Sequence, residues 1–456
     1  MDSEQSSRRA VLRAVAAGTA TVGGAGCMGG GGESGSTATP SRYANQPVGE
    51  DSVTFGFPVA LSGPFGSDGE RQERGFRLAV KHLNEGGGWV DSERFAALSG
   101  DGVLGRTVEM VTGNTESSPD TAVSVARDLV GSEGAVMIAG GSSANTAVKL
   151  LDLCHPRGVV HMIGFAPGTN VTGADCSRYG FQEMFNPKMA AQALMPVLLD
   201  RFGERASVYG LHANSDFGFT QANELRRAML DNNWDYQGDT QTTVGTSDYG
   251  PQLEEAKAAN PDVLALSYRG IDGANAIRQA SEVFDDIEIV APLLSPTTAE
   301  LAGEAIEGVL GTISWDPSID TPLSKTFRDS FQQEFGSPED RPNWRLGSDQ
   351  AHLAYGQTLQ YAAAVERAGT FEPPSVIREL EGHQYAMGIG QETMRACDHQ
   401  AIRPVPVVEG LPAAEQAESR YYDSVTIARN VGYACNEDPA DDCRELGPYE
   451  PTTEVE

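Results

Sequence analysis

The chain has 456 residues, 64 of them acidic and 33 basic, for a formal net charge of −31. Such a surface repels phosphate backbones, so nucleic acid is excluded as a partner. Hydrophobic residues make up 39%, enough for buried cores, and the length points to two lobes rather than one. The acid is spread along the chain, and lysine is confined to Lys81, Lys149, Lys188, Lys257 and Lys325. Concentrated salt screens self-repulsion within a few Å, so this balance reads as halophilic, with a haloarchaeal source expected.

The first elements are an address. Residues 6–13 read Ser-Ser-Arg-Arg-Ala-Val-Leu-Arg, the pattern of a twin-arginine export signal with Arg8 and Arg9 as its charged pair. The weakly apolar run 14–26 is too short and glycine-rich to span a bilayer. It ends in small residues before Cys27, as in a lipoprotein signal whose cysteine is lipidated, although Gly24 stands where such signals usually carry leucine. Residues 1–27 are therefore expected to be the signal, and the Gly/Ser/Thr-rich stretch 28–50 a flexible tether.

From residue 53 short apolar runs alternate with amphipathic segments. Strands are expected at 53–60, 107–112, 135–139 and 159–163, with helices at 70–84, 119–130 and 144–153. Ser118 is placed to cap the second helix, with Pro119 at its first position. Residues 86–104 read as a loop insertion. After 187 the pattern restarts, with strands at 206–211, 241–244, 263–267 and 287–291 and helices at 217–230, 249–259 and 274–283. Residues 308–315 read as a crossover into helices at 324–335, 348–368 and 374–380, then strands at 391–395 and 405–408. Continuous apolar strands between helices are those of parallel sheets covered on both faces. The expected architecture is α/β, two Rossmann-like lobes joined by a hinge of several crossings. Lobe 1 takes 51–187 and 316–388, lobe 2 takes 188–315 and 389–430, and 431–456 form a poorly ordered acidic tail.

Beyond Cys27 the cysteines are Cys154, Cys176, Cys397, Cys435 and Cys443. Outside the cell they could pair, and Cys435 and Cys443 flank a short acidic loop suited to a local bridge; five is odd, so at least one stays free.

At the first strand-to-helix turn the chain reads Ala60-Leu61-Ser62-Gly63-Pro64-Phe65-Gly66, and the helix ends Asn84-Glu85-Gly86-Gly87. With Ser118-Pro119-Asp120-Thr121-Ala122, Ile138-Ala139-Gly140-Gly141-Ser142-Ser143-Ala144, Ser247-Asp248-Tyr249 and Arg395-Ala396-Cys397-Asp398-His399-Gln400, this resembles the leucine/isoleucine/valine-binding proteins of ABC importers. The likeness runs over roughly residues 52–410. It implies a type I periplasmic-binding (Venus flytrap) fold that closes on a small solute and performs no chemistry. It implies as partners the permease and ATPase subunits of an importer, and a position on the outer face of the membrane through the lipid on Cys27. A sensor of the same fold, signalling to a membrane partner, is the alternative.

The resemblance also implies site residues. Gly140 and Gly141 let the backbone approach a ligand, and Ser142 or Ser143 lies at a helix N-terminus suited to a carboxylate. The turn holding Phe165 and Ala166 matches the family's second carboxylate-binding loop; its threonine position falls on Pro167, which leaves Thr169 to substitute. Phe217 fits the aromatic wall of the second lobe, with Tyr268 or Arg269 as the facing wall. The family holds the ligand's ammonium with an acid in the loop after the strand at 287–291. Here that loop is Pro292-Leu293-Leu294-Ser295. Either Asp68 supplies the charge or the ligand lacks a free ammonium, as amides, urea-like solutes and aromatic acids do.

A hydrolase on a similar two-lobed α/β frame is the second rival, and the missing triad argues against it. Gly141-Ser142-Ser143-Ala144-Asn145 lacks the final glycine of a nucleophile elbow. Cys154-His155 with His161, and Cys397 with His399, lack zinc-site spacing. No cofactor or metal is expected.

Overall fold

The computed structural model describes residues 43–336, 344–416 and 420–450; the export signal, Cys27 and most of the expected tether lie outside them. The first sheet contains β1 (Ser52–Val59), β2 (Thr107–Asn114), β3 (Ala135–Gly140), β4 (Val160–Ile163) and β5 (Gly180–Gln182), in the order β2-β1-β3-β4-β5 and parallel throughout. Every residue of β3 and β4 is buried; β3 reads as an unbroken apolar run, and β4 is interrupted only by the buried His161. Between these strands run α1 (Gly66–Glu85), α2 (Pro119–Gly131) and α3 (Ala144–Cys154). The Ser118 hydroxyl accepts from the Thr121 amide and caps α2, ahead of Pro119 at the helix start.

The chain then crosses to a second lobe through α4 (Pro187–Phe202). There β6 (Ser207–Ala213), α5 (Asp216–Asp231), β7 (Asp235–Thr242), α6 (Gly250–Ala259), β8 (Val263–Ser267), α7 (Gly270–Val283), β9 (Glu288–Ala291), α8 (Pro296–Ala302) and β10 (Leu310–Thr312) follow. It returns to the first lobe as α9 (Pro322–Phe335), α10 (Asp349–Ala368) and α11 (Pro373–Leu380), where α10 lies along α1. Gly75 permits that contact: a Cβ on it would stand 2.2 Å from the Ala351 carbonyl oxygen. A small antiparallel sheet of β11 (Gln384–Ala386), β12 (Gln391–Met394) and β13 (Ala401–Ile402) precedes the last crossing. Finally β14 (Val405–Gly410) and β15 (Tyr422–Ala428) add antiparallel strands to the second sheet, ordered β15-β14-β10-β9-β8-β6-β7.

The three crossings meet at one side chain. Buried Arg403 donates to the Glu183 carbonyl on the first crossing and to the Ser314 carbonyl on the second, both at 3.1 Å, while it lies on the third. Its Nε faces the Glu392 carboxylate at 3.4 Å. Glu183 accepts the Tyr385 hydroxyl at 2.6 and 2.8 Å. Burial, then the neighbouring Glu392 carboxylate, pushes the Glu183 carboxyl well above its ordinary range.

Several expectations need correcting. Residues 308–315 contain β10, a buried strand inside the second sheet, rather than connecting chain alone. The strand expected at 241–244 is β7, which starts at Asp235; its alternating polar residues hid it, because at the sheet edge one face meets water. Residues 86–104 are the expected loop, with one short 3-10 turn at Glu93–Phe95, but it is a packed one, with Trp89, Phe95, Leu98 and Val103 buried in the main core. Cys435 does not pair with Cys443. The bridges are Cys176–Cys443 and Cys397–Cys435, and Cys154 is free and buried. They fasten the described part of the tail, where Tyr433 is buried and the Tyr449 hydroxyl donates to Glu381 at 2.6 Å. No helix among the described residues is long and apolar enough to cross a membrane.

Candidate functional site

A cavity of about 250 Å³ lies where the loops after β1, β2 and β3 meet those after β6, β7 and β8. It has the position a ligand takes in open α/β sheets, beyond the carboxyl ends of the strands. Four helices start at its wall. Pro119 of α2, Ala144 and Asn145 of α3, Asp216 and Phe217 of α5, and Ile271 and Asp272 of α7 all line it. Each helix start carries unpaired amides and a partial positive charge, so their fields add at the cavity.

The turn after β3 is shaped by Gly140 and Gly141, with φ of 147° and 94°, values closed to most side chains. It delivers Ser142 and Ser143 with different tasks. Ser143 lines the cavity and caps α3, its hydroxyl accepting from the Thr146 amide at 3.2 Å. Ser142 is buried, and its hydroxyl has no hydrogen-bond partner among the described residues. The Ser142 carbonyl accepts from Arg269 instead.

Arg269 organises the site. It follows β8 in the second lobe and reaches into the first. Nη1 donates to the Ser142 carbonyl at 3.1 Å, and Nη2 to the Phe165 carbonyl at 3.3 Å and the Asp68 carboxylate at 3.4 Å. The rings of Phe65, Phe165 and Phe217 surround the guanidinium at 5.1, 5.2 and 5.6 Å. Burial lowers its pKa and the Asp68 charge opposes that; a guanidinium stays protonated. Asp68 is itself fully engaged, its other oxygen accepting from Thr297 at 2.6 Å and Gln350 at 3.0 Å.

Two further carboxyls border this constellation. Asp349, beside Gln350 at the start of α10, is pushed up to about 7 by burial and then by the charge of Asp68. Burial also raises Asp272, which accepts from the Gly245 amide at 2.9 Å. A second contact between the lobes lies nearby: Arg71 pairs with Glu300 at 2.6 Å and lies 4.2 Å over the Trp344 ring.

Of the residues expected from sequence, Asp68, Ser142, Phe165 and Phe217 are brought together around Arg269, with Ser143 beside them. Of these only Ser143, Phe217 and Arg269 line the cavity itself; Asp68, Ser142 and Phe165 stand behind its wall. Ala166 and Thr169 do not line it either, Ala166 packing with Ala144 and Val171 in a small cluster. Tyr268 turns to the second core, where its hydroxyl accepts from Thr242 at 3.0 Å and its ring meets Tyr249 edge-on. Sequence reasoning missed Phe65, Thr297 and Gln350. Phe65 sits inside the first turn motif and could have been found there. Among the described residues, no group of three or more His, Cys, Asp or Glu side chains is placed to hold a metal.

Residues 52–415 match the family described as periplasmic binding protein. The leucine-, isoleucine-, valine-, threonine- and alanine-binding protein of Pseudomonas aeruginosa is 20% identical over 76% of this chain and 87% of its own. An amino-acid ABC transporter substrate-binding protein from Pseudomonas fluorescens Pf-5 superposes with a TM-score of 0.76 at 20% identity, covering 86% of this chain and 99% of that one. An ABC transporter solute-binding protein from Rhodopseudomonas palustris BisB5, solved with 3,4-dihydroxybenzoic acid, gives a TM-score of 0.71 at 17% identity, covering 84% and 99%. At these identities the solved structures establish the likeness of fold.

Proposed function

The chain belongs to the periplasmic binding protein family, and from that premise we propose that it is the substrate-binding protein of an ABC importer. It takes a branched-chain amino acid, or a related small carboxylate or amide, into the cleft between its lobes. The observation that carries this is the cavity walled by strand ends of both lobes and crossed by Arg269. A solute there touches both lobes at once, so its binding energy favours the closed arrangement that a permease can recognise. Members of the family are solute-binding proteins, and this reading assigns binding without turnover.

The same reading has the protein exported by the twin-arginine route and held on the outer face of the membrane by lipid on Cys27. The two disulfides support an oxidising location. Cys27→Ser should release the mature protein into the medium, and Arg8→Lys with Arg9→Lys should stop export. Ligand binding is tested by calorimetry in molar KCl against branched-chain amino acids, small carboxylates and amides. Saturable heat for one class supports the reading. Silence across the panel, or hydrolysis of an amide, ends it.

A further inference from the structure

We infer that the ligand is a monocarboxylate with an apolar body and no ammonium group, because Arg269 already occupies the cation position of the cleft. This rests on the solute-receptor reading and narrows it. The acceptors that could hold a ligand ammonium are spent: the Ser142 and Phe165 carbonyls and one Asp68 oxygen face the guanidinium, and the other Asp68 oxygen faces Thr297 and Gln350. An ammonium brought into this cleft meets a buried like charge and finds no free carboxylate around Arg269, the cavity's own carboxylates being Asp216 and Asp272 at the helix starts of the second lobe.

What remains unsatisfied is donor capacity. Arg269 Nε and the Ser142 hydroxyl are both buried without a partner among the described residues. Arg269 lines the cavity from the second lobe and grips the backbone of Ser142, which lies just behind the cavity wall in the first lobe. Four helix N-termini add their fields at the same place. Asp216 and Asp272 oppose them from the second lobe, and Asp272 spends an oxygen on the Gly245 amide. A single carboxylate meets this balance. Much of the remaining wall, including Phe65, Ala213, Phe217, Val244 and Ile271, suits hydrocarbon, beside the polar Ser117, Asn145 and Ser215.

The test uses matched pairs that differ only by the amino group: 4-methylpentanoate against leucine, and phenylacetate against phenylglycine. Calorimetry on the intact mature protein in molar KCl should give the carboxylate at least about tenfold tighter binding in one pair. The aliphatic and aromatic arms then separate the two possible bodies. Arg269→Ala should invert the preference, because it frees Asp68 and two carbonyls for an ammonium. If that variant does not fold, Asp68→Asn with Arg269→Gln should weaken the carboxylate at least about tenfold. Leucine or phenylglycine binding tighter than its partner in the unaltered protein overturns this inference and leaves the receptor reading standing. Silence of both pairs, with an amide or other solute binding, does the same. Failure of every solute overturns both.

Discussion

Arg269 and Asp68 face each other at 3.4 Å across the cleft, the guanidinium from the second lobe and the carboxylate from the first, both almost wholly buried. Their relationship is not one of simple gain. Removing two charges from water costs several kcal/mol each, and mutual attraction with added hydrogen bonds offsets that cost only while both partners are present. Asp68→Asn should therefore lose about 3–5 kcal/mol, whereas Asp68→Asn with Arg269→Gln should lose clearly less. A denaturant-based double-mutant cycle reads the coupling; additive losses would deny it.

Ser142 and Ser143 should separate under single substitution. Ser143→Ala removes a helix cap and should cost about 1 kcal/mol of stability. Ser142→Ala removes a hydroxyl that has no partner within the protein, so stability should hold while ligand affinity falls severalfold. Thermal melts and calorimetry on the two variants check this. Equal effects on both readouts would merge the roles.

Asp349 sets a dependence on pH. Its folded pKa is about 7, raised from 3.8 by burial and by Asp68. Between those values the folded state holds the proton more firmly than the unfolded state does, so this group's contribution falls as pH rises from about 4 to 7. Asp349→Asn, which can still accept from the Gln350 amide, should flatten that slope and gain a few kcal/mol above pH 7. Melting curves taken from pH 4.5 to 8 decide it, and parallel curves for the two proteins would count against it.

The disulfide between Cys176 and Cys443 joins positions 267 residues apart, and the bridge between Cys397 and Cys435 ties the start of the tail to the segment between β12 and β13. Opening the first by Cys176→Ser with Cys443→Ser should cost about 2–4 kcal/mol. Protease should then reach the segment around Tyr449 first. Retention of full protection there would mean that Glu381 and its hydrogen bonds hold the tail alone.

Net charge of −31 predicts that stability rises with salt. In 1 M salt the screening length falls to about 3 Å, which removes most of the repulsion among exposed acids. Melting temperature should climb by several degrees between 0.2 and 3 M KCl. A flat profile would leave the acidic composition without this explanation.

Much of the frame was readable from local order. A buried strand such as β3 announces itself as an unbroken apolar run, and Ser118, Ser143 and Ser215 cap helices through amides three residues on. The edge strand β7 was misplaced because one of its faces is wet, and β10 because three residues carry no period. What the amino-acid order determined by itself is therefore what neighbours along the chain decide: strand or helix, cap, glycine turn and overall charge. Only the tertiary structure decided what fills the cleft. Arg269, Thr297 and Gln350 reach Asp68 over separations of 201, 229 and 282 residues. No spacing rule spans such distances. Their meeting follows from three crossings tied at Arg403, and from the need of each buried charge to find a partner.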